Sequence, residues 1–250
     1  MWLPFFDKLV FTKEKPTLTS DIQHWNNVYT VKVNPITSPK KNSVIIYAHG
    51  NKWDLGRLRN ERILHKIANI THCPIVAFEF AGYGVDHKNP VSSEQTVQNI
   101  LSTFKTLRRQ YHHVYFYGFS IGAGIVAEAL NRLKIDRKPF PSAIFLQGAF
   151  TSVLDTPEAK RKLGAFHGTC KLFFNLFQVQ DILIEKTKRK LPLVYFIHGT
   201  RDQTCPFAPI EKLAHVIDAK MIWIEEGGHN QLEDAPEFAK LLGEAFRKLP

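Results

Sequence analysis

Short runs of consecutive apolar residues alternate along this chain with longer stretches in which apolar residues return every three or four positions. Val44–Ala48, Ile75–Phe80 and Val114–Tyr117 are the first such runs, and each has the length of a buried strand. A helix is predicted between the first two, over Arg57–Ile70. Another begins after Ser92, where Ser92 and Gln95 have capping-box spacing and Val97, Ile100, Leu101, Phe104 and Leu107 recur at helical period. A third follows Ser120 through Ile125, Val126, Ala129 and Leu130 and leads into a strand at Ala143–Leu146. Strands at Leu193–Ile197 and Met221–Ile224 come next, separated by a helix over about Pro209–Ile217, and a helix over Ala235–Leu249 closes the pattern. Ahead of all these, Val28–Val33 alternates apolar and polar residues as a half-buried strand does, with Asn34, Pro35, Ser38 and Pro39 forming a turn region after it. Strands separated by helices predict an α/β fold with a mostly parallel central sheet and helices on both faces.

The pattern loosens between Phe150 and Lys190. Phe166, Phe173, Phe174 and Phe177 stand among basic residues there, with short helical stretches such as Val179–Glu185. Two readings stand side by side: a short lid-like insertion over 150–190 that faces substrate, or connecting helices that pack their phenylalanines into the core. The rest reads as one domain over 1–250, with residues 1–25 as an N-terminal segment. No internal repeat or low-complexity tract interrupts it, and every apolar run is broken by charge well short of the roughly 20 residues that cross a bilayer.

Charge narrows the partners without choosing one. There are 33 Lys and Arg against 23 Asp and Glu, a net +10 with histidine neutral. That excess favours anionic surfaces, including peripheral contact with an anionic membrane. Basic clusters at Arg108–Arg109, Lys160–Lys162 and Lys186–Lys190 come without a zinc finger, an RNA-binding aromatic motif or an evident helix-turn-helix, so nucleic acid is not expected as a partner. Their plainest role is a solvated surface. The three cysteines, Cys73, Cys170 and Cys205, have no disulfide or zinc-site spacing, and the opening MWLPFFDKLVFTKEK lacks a signal peptide's unbroken apolar stretch. A cytoplasmic protein is the expectation.

The chemistry concentrates in YFYGFSIGAG. A strand pattern runs into Gly118-Phe119-Ser120-Ile121-Gly122 and then into a helix pattern, which is G-x-S-x-G in the context it requires. Glycines flank a turn too tight for side chains, and the turn lifts the Ser120 hydroxyl clear of the sheet. A serine hydroxyl is a weak nucleophile at neutral pH, so it needs a base and a carboxylate to orient that base. The strand at Leu193–Ile197 ends in HGTRDQTCPF, placing Asp202 just past it, and the next strand ends in EEGGHN, placing His229 at the same edge. Among eleven histidines, His229 alone combines the right chain order with a post-strand loop; His198, at the end of a strand, reads as structural. Glu226 is the next acid but lies too near His229 in sequence to orient it. Cys205 reads as a small packed residue.

A tetrahedral intermediate needs two preorganised N–H donors. The backbone N–H of Ile121 is one candidate. The other is the backbone N–H of Asn51 in YAHGNKWDLG, where His49 and Gly50 end a strand; the alternative for that dipeptide is a plain strand-ending turn. Asp54 reads as the cap of the helix that follows.

Taken together, HGNKWDLG, FEFAGYG, YGFSIGAG, FIHGTRDQTCPF and EEGGHN resemble the successive signatures of the α/β-hydrolase superfamily. Within it they look most like the α/β-hydrolase-domain protein depalmitoylases, serine thioesterases that remove palmitate from cysteines of membrane proteins. The resemblance runs through nearly the whole chain and thins at KLVFTKEKPTLT. It implies an α/β-hydrolase fold and the roles already argued for Ser120, Asp202 and His229. Three features depart from the pattern. The family's cysteine-rich, S-acylated N-terminus has no counterpart before Cys73, although Trp2, Leu3, Phe5 and Phe6 offer shallow insertion or core packing. Phe119 stands where relatives commonly carry a polar residue, and Val85 follows GYG where a small polar one is usual.

The expected activity is therefore hydrolysis of acyl esters or thioesters, with long-chain acyl-protein thioesters preferred and an acylated protein as partner. The residues supply nucleophile, base, acid and oxyanion donors, so neither cofactor nor metal is implied. Two other readings are a serine peptidase related to prolyl oligopeptidase, and a non-catalytic binding protein on a hydrolase scaffold.

Overall fold

Strand β1 (Gln23–Trp25) and strand β2 (Val28–Val33) form an antiparallel hairpin. Its two central residues, Asn26 and Asn27, both take positive φ, 47° and 64°, as the tightest two-residue hairpin turn demands. The alternation over Val28–Val33 predicts β2 alone, because three residues of β1 carry no readable alternation. Strands β3 (Ser43–Ala48), β4 (Ile75–Phe78), β5 (His113–Phe119), β6 (Ala143–Gln147), β7 (Leu193–Gly199) and β8 (Lys220–Ile224) follow. This computed structural model describes residues 7, 10–17, 19–133, 140–166, 178–187 and 192–250. All eight strands lie in one sheet, in the order β1-β2-β4-β3-β5-β6-β7-β8. From β3 to β8 every neighbouring pair is parallel, and β2 is antiparallel to β4.

The strand boundaries follow the apolar runs closely because both faces of the sheet are covered, so a central strand has little reason to carry a polar residue. In β3, Val44, Ile46 and Ala48 enter one apolar cluster, whereas Ile45 and Tyr47 enter the other. Helices α1 (Leu55–Asn60) and α2 (Ile63–Thr71) cover the Ile45 face together with the last helix. The single helix expected over Arg57–Ile70 is thus two: Arg62 takes a left-handed φ of 58° and breaks it after a charged stretch that has no apolar side chain to hold the register. Asp54 caps α1 as expected, its Oδ1 accepting the Arg57 N–H at 2.7 Å.

On the other face lie α3 (Ser93–Leu107) and α4 (Ile121–Arg132). The Ser92 hydroxyl accepts the Gln95 N–H at 3.1 Å, and Val97, Ile100, Phe104 and Leu107 are buried toward the sheet. Helix α5 (Pro157–Leu163), which the sequence pattern does not reveal, buries none of its side chains. Helix α6 (Val179–Thr187) buries Val179 and Leu183 on the α4 side of the sheet. Then come α7 (Phe207–Val216) and α8 (Pro236–Arg247), the latter burying Phe238, Leu242, Ala245 and Phe246 at helical spacing. Of the expected insertion over 150–190, Phe173, Phe174 and Phe177 lie outside the described residues, as do Trp2, Leu3, Phe5 and Phe6.

Close backbone approach fixes where the sheet meets α4. A Cβ on Gly122 would stand 2.2 Å from the Ala48 carbonyl oxygen, and one on Gly118 would stand 2.5 Å from the Gly122 carbonyl oxygen. Neither neighbour is a movable side chain. Gly122→Ala is therefore expected to cost about 3 kcal/mol or more, toward the upper end of overpacking penalties, and to lower the urea midpoint of unfolding accordingly. An unchanged midpoint would show that the two backbones separate without loss.

Candidate active site

Parallel strands deliver their following loops to one edge of the sheet, and the predicted residues gather there. Ser120 sits between β5 and α4 at φ 54° and ψ −118°, a conformation that costs an L-residue energy and is held by its surroundings. Its N–H donates to the Gln147 carbonyl at 2.9 Å, and its own carbonyl accepts the Ala123 N–H at 2.9 Å. The Ser120 Oγ lies 3.0 Å from His229 Nε2, and His229 Nδ1 lies 2.7 Å from Asp202 Oδ2. Three residues 27 and 109 positions apart along the chain thus form one hydrogen-bonded relay. Gly148, at φ 55°, makes room for it, since a Cβ there would stand 3.0 Å from the His229 ring.

The side chain of Asp202 is fully buried, with four N–H groups converging on it. Oδ1 accepts the backbone N–H groups of Thr204 and Cys205, both at 2.8 Å. Oδ2 faces His229 and, at 3.3 Å, the Nε2 of His198, which also donates to the Cys205 carbonyl at 2.8 Å. Burial by itself would raise this carboxyl. The hydrogen bonds from His198, His229 and the Cys205 N–H outweigh it and hold the group well below its ordinary 3.8. His198 is structural in the sense expected, and it has a more specific place than that: it faces the same carboxylate oxygen that His229 does. Its only sequence signal is its position four residues before Asp202. Glu226 points elsewhere and pairs with Arg201 on the surface. Burial pushes the Cys205 thiol strongly up, as suits a packed residue rather than a nucleophile.

A cavity of about 600 Å³ opens over the relay. Ser120, His229, Asn51 and Ile121 all line it, so both residues expected to supply oxyanion donors share one cavity with Ser120. Ile121 begins α4, where first-turn N–H groups have no acceptor within the helix. Asn51 follows His49 and Gly50 out of β3. His49 is fully buried and stacks on Phe80 with ring centroids 3.7 Å apart. Its Nδ1–H donates to the Gly50 carbonyl at 2.9 Å, leaving Nε2 facing Glu79 Oε1 at 3.3 Å. Two bare acceptors would repel at that distance, so one proton lies between them. Burial raises the Glu79 carboxyl, opposed by its bonds to His49 and the Leu55 N–H. The apolar part of the cavity wall includes Val10, Trp53, Phe119, Phe150, Val153 and Leu154, and Lys52, Arg57, Glu158 and Lys162 stand among the polar lining residues. Helix α5 thus contributes to the cavity rim from within the stretch read as an insertion. Val10 belongs to a part of the chain in which the sequence shows no site residue.

The strand order and the relay at the carboxyl edge of the parallel strands define an α/β-hydrolase fold, as the motifs lead one to expect. An esterase of the bacterial hormone-sensitive lipase family superposes with a TM-score of 0.66 at 15% identity, over 93% of this chain and 86% of the other. In sequence the chain is similar to alpha/beta hydrolase domain-containing protein 17C of Xenopus tropicalis, 26% identical over 205 residues. That match takes in 78% of this chain and 59% of the relative. It is likewise similar to alpha/beta hydrolase domain-containing protein 17B of Homo sapiens, also 26% identical over 205 residues, covering 63% of that protein. The chain therefore spans less than two thirds of the length of these curated relatives, and the match covers less of it than the motif resemblance implies. No family model matches the chain.

Proposed function

We propose that this protein is a serine hydrolase of acyl esters and thioesters, with long-chain acyl-protein thioesters as its preferred substrates. The observation that carries the proposal is the continuous relay Ser120–His229–Asp202 opening into a cavity with an apolar wall. In the reaction, Ser120 Oγ attacks the carbonyl carbon while its proton passes to His229 Nε2. The carbonyl oxygen takes up negative charge facing the N–H groups of Asn51 and Ile121. Collapse breaks the bond to the leaving group, which takes the proton from His229 and departs as thiol or alcohol. Water then attacks the acyl-serine by the same route in reverse, releasing the fatty acid and restoring Ser120. Asp202 keeps the Nδ1–H tautomer in place and balances the imidazolium. The resemblance to the depalmitoylases and the similarity to the 17B and 17C proteins support the thioester preference. Peripheral contact with anionic lipid belongs to the same reading, supported by the exposed Lys160, Arg161 and Lys162 of α5, the last of which lines the cavity.

The test compares hydrolysis of a palmitoylated-cysteine peptide, a short-chain ester and an aminoacyl amide by the full chain, with Ser120→Ala as the blank for each. Preferential thioester cleavage above the blank is expected. Preferential amide cleavage would overturn the reading in favour of a peptidase, and no cleavage above the blank would leave a binding scaffold.

A further inference from the structure

The geometry points to a second task for Asn51, carried by its side chain. We propose that this carboxamide is a positioning group that clamps residues 10–17 against the oxyanion loop, so that the N-terminal segment is a working part of the catalytic site. The inference rests on the reading of Ser120 as nucleophile and of the Asn51 backbone N–H as oxyanion donor.

A carboxamide offers two acceptor lone pairs and two N–H donors. That of Asn51 is nearly saturated. Its Oδ1 accepts the Thr12 N–H at 2.9 Å and the Tyr83 hydroxyl at 2.7 Å, with the Lys52 N–H at 3.2 Å. Its Nδ2 donates to the Val10 carbonyl at 2.8 Å. One side chain thus pairs with a carbonyl and an N–H two residues apart on the same segment, as a neighbouring strand would. Other contacts hold the same segment on the same loop. Asp54 Oδ2 accepts the Thr17 N–H at 2.7 Å, and Phe11 is buried edge-on against Phe80 and Tyr83. Phe80 is also the ring on which His49 stacks. Val10, the residue whose carbonyl Asn51 holds, lines the cavity with Ser120.

The need for such a clamp is visible in the loop. Lys52 takes φ 64°, Gly50 packs against the Phe119 ring, and among the described residues few backbone bonds fix the stretch between β3 and α1. An oxyanion donor contributes only when it is aimed in advance. The carboxamide supplies that aim by tying the residue that bears the donor to two buried or half-buried partners, the segment on one side and Tyr83 on the other.

Two variants of the full chain test this with a soluble short-chain ester, alongside hydrogen–deuterium exchange of residues 10–17. Asn51→Ala keeps the backbone donor and removes every side-chain bond; kcat is expected to fall about 10- to 100-fold, short of the loss of a whole donor. Tyr83→Phe removes one hydroxyl from a buried ring behind the loop, and a loss of about 3- to 10-fold is expected, the worth of one hydrogen bond. In both, KM stays within about twofold and the Thr12 amide exchanges faster. Unchanged kcat in Tyr83→Phe with faster Thr12 exchange overturns the proposal, and so does unchanged exchange in both variants. That second readout keeps the test decisive if Asn51→Ala does not fold. A wild type without Ser120-dependent turnover overturns the functional reading, and the two failures are told apart by the wild-type rate alone.

Discussion

Ser120→Ala is expected to lower turnover of any acyl ester or thioester by about 10⁴ to 10⁶, with the melting temperature within a few degrees of the wild type. The size of the loss follows from what remains. His229 and Asp202 still form their hydrogen bond and the cavity is intact, so substrate still binds. No atom is left to carry the acyl group, and the residual rate is that of water attacking an oriented carbonyl. The fold is spared because the strained backbone at Ser120 is held by the Gln147 and Ala123 bonds, not by the hydroxyl. Alanine removes only a half-buried oxygen whose partner is His229. Steady-state rates on a chromogenic ester, with labelling by a fluorophosphonate probe as the second readout, check this. Activity within about tenfold of the wild type would remove Ser120 from the mechanism.

Asp202→Asn has the second largest expected effect, about 10⁴ in kcat/KM, for a reason peculiar to this carboxyl group. Four N–H groups converge on it: Thr204 and Cys205 on one oxygen, His198 and His229 on the other. An asparagine has one oxygen to offer. With that oxygen turned to the two backbone donors, its NH₂ faces two imidazoles. His229 must then present a bare Nδ1 and carry its proton on Nε2, where it blocks acceptance of the Ser120 proton. With the amide turned the other way, two buried backbone N–H groups lose their acceptor, and the cost moves to stability. The pH dependence of that stability has a definite sign. Because the folded-state carboxyl is held below its ordinary 3.8, its contribution is fully present above that value and is lost as pH falls through the depressed one. The gap in urea midpoint between wild type and Asp202→Asn should therefore be wide at pH 7 and narrow only in strongly acid solution. A gap that is already closed at pH 5 would contradict the depressed value.

The sequence reveals the parallel strands, the relay and the edge at which the relay assembles, and for one physical cause. Parallel strands buried on both faces must be written as short apolar runs, and the residues just past their ends must lie together. Ser120, Asp202 and His229 occupy such positions, so their meeting is readable from spacing. What stays hidden is whatever depends on contacts across long stretches of chain. His198 carries no mark of its contact with Asp202 beyond its spacing of four residues, and a strand-ending histidine usually just packs. The carboxamide of Asn51 reaches back 39 and 41 residues, and no periodicity encodes that reach. The break between α1 and α2 at Arg62 is equally silent, because its charged neighbours fit a helix surface as well as a turn. Helix α5, with no buried side chain, has no apolar stripe to announce it.

The loops that carry Asp202 and His229 are bonded to each other. The Thr200 N–H donates to the Ile224 carbonyl, the Arg201 N–H to the Gly227 carbonyl and the Glu226 N–H to the Thr200 hydroxyl, while Gly199 lies so close to Gly227 that a Cβ would come within 2.2 Å of its carbonyl oxygen. Asp202 and His229 therefore ride on a single stitched platform past the ends of β7 and β8, and the turn that bears Ser120 is tied to it through β6, the Ser120 N–H donating to the Gln147 carbonyl and the Gly148 N–H to the Ile197 carbonyl.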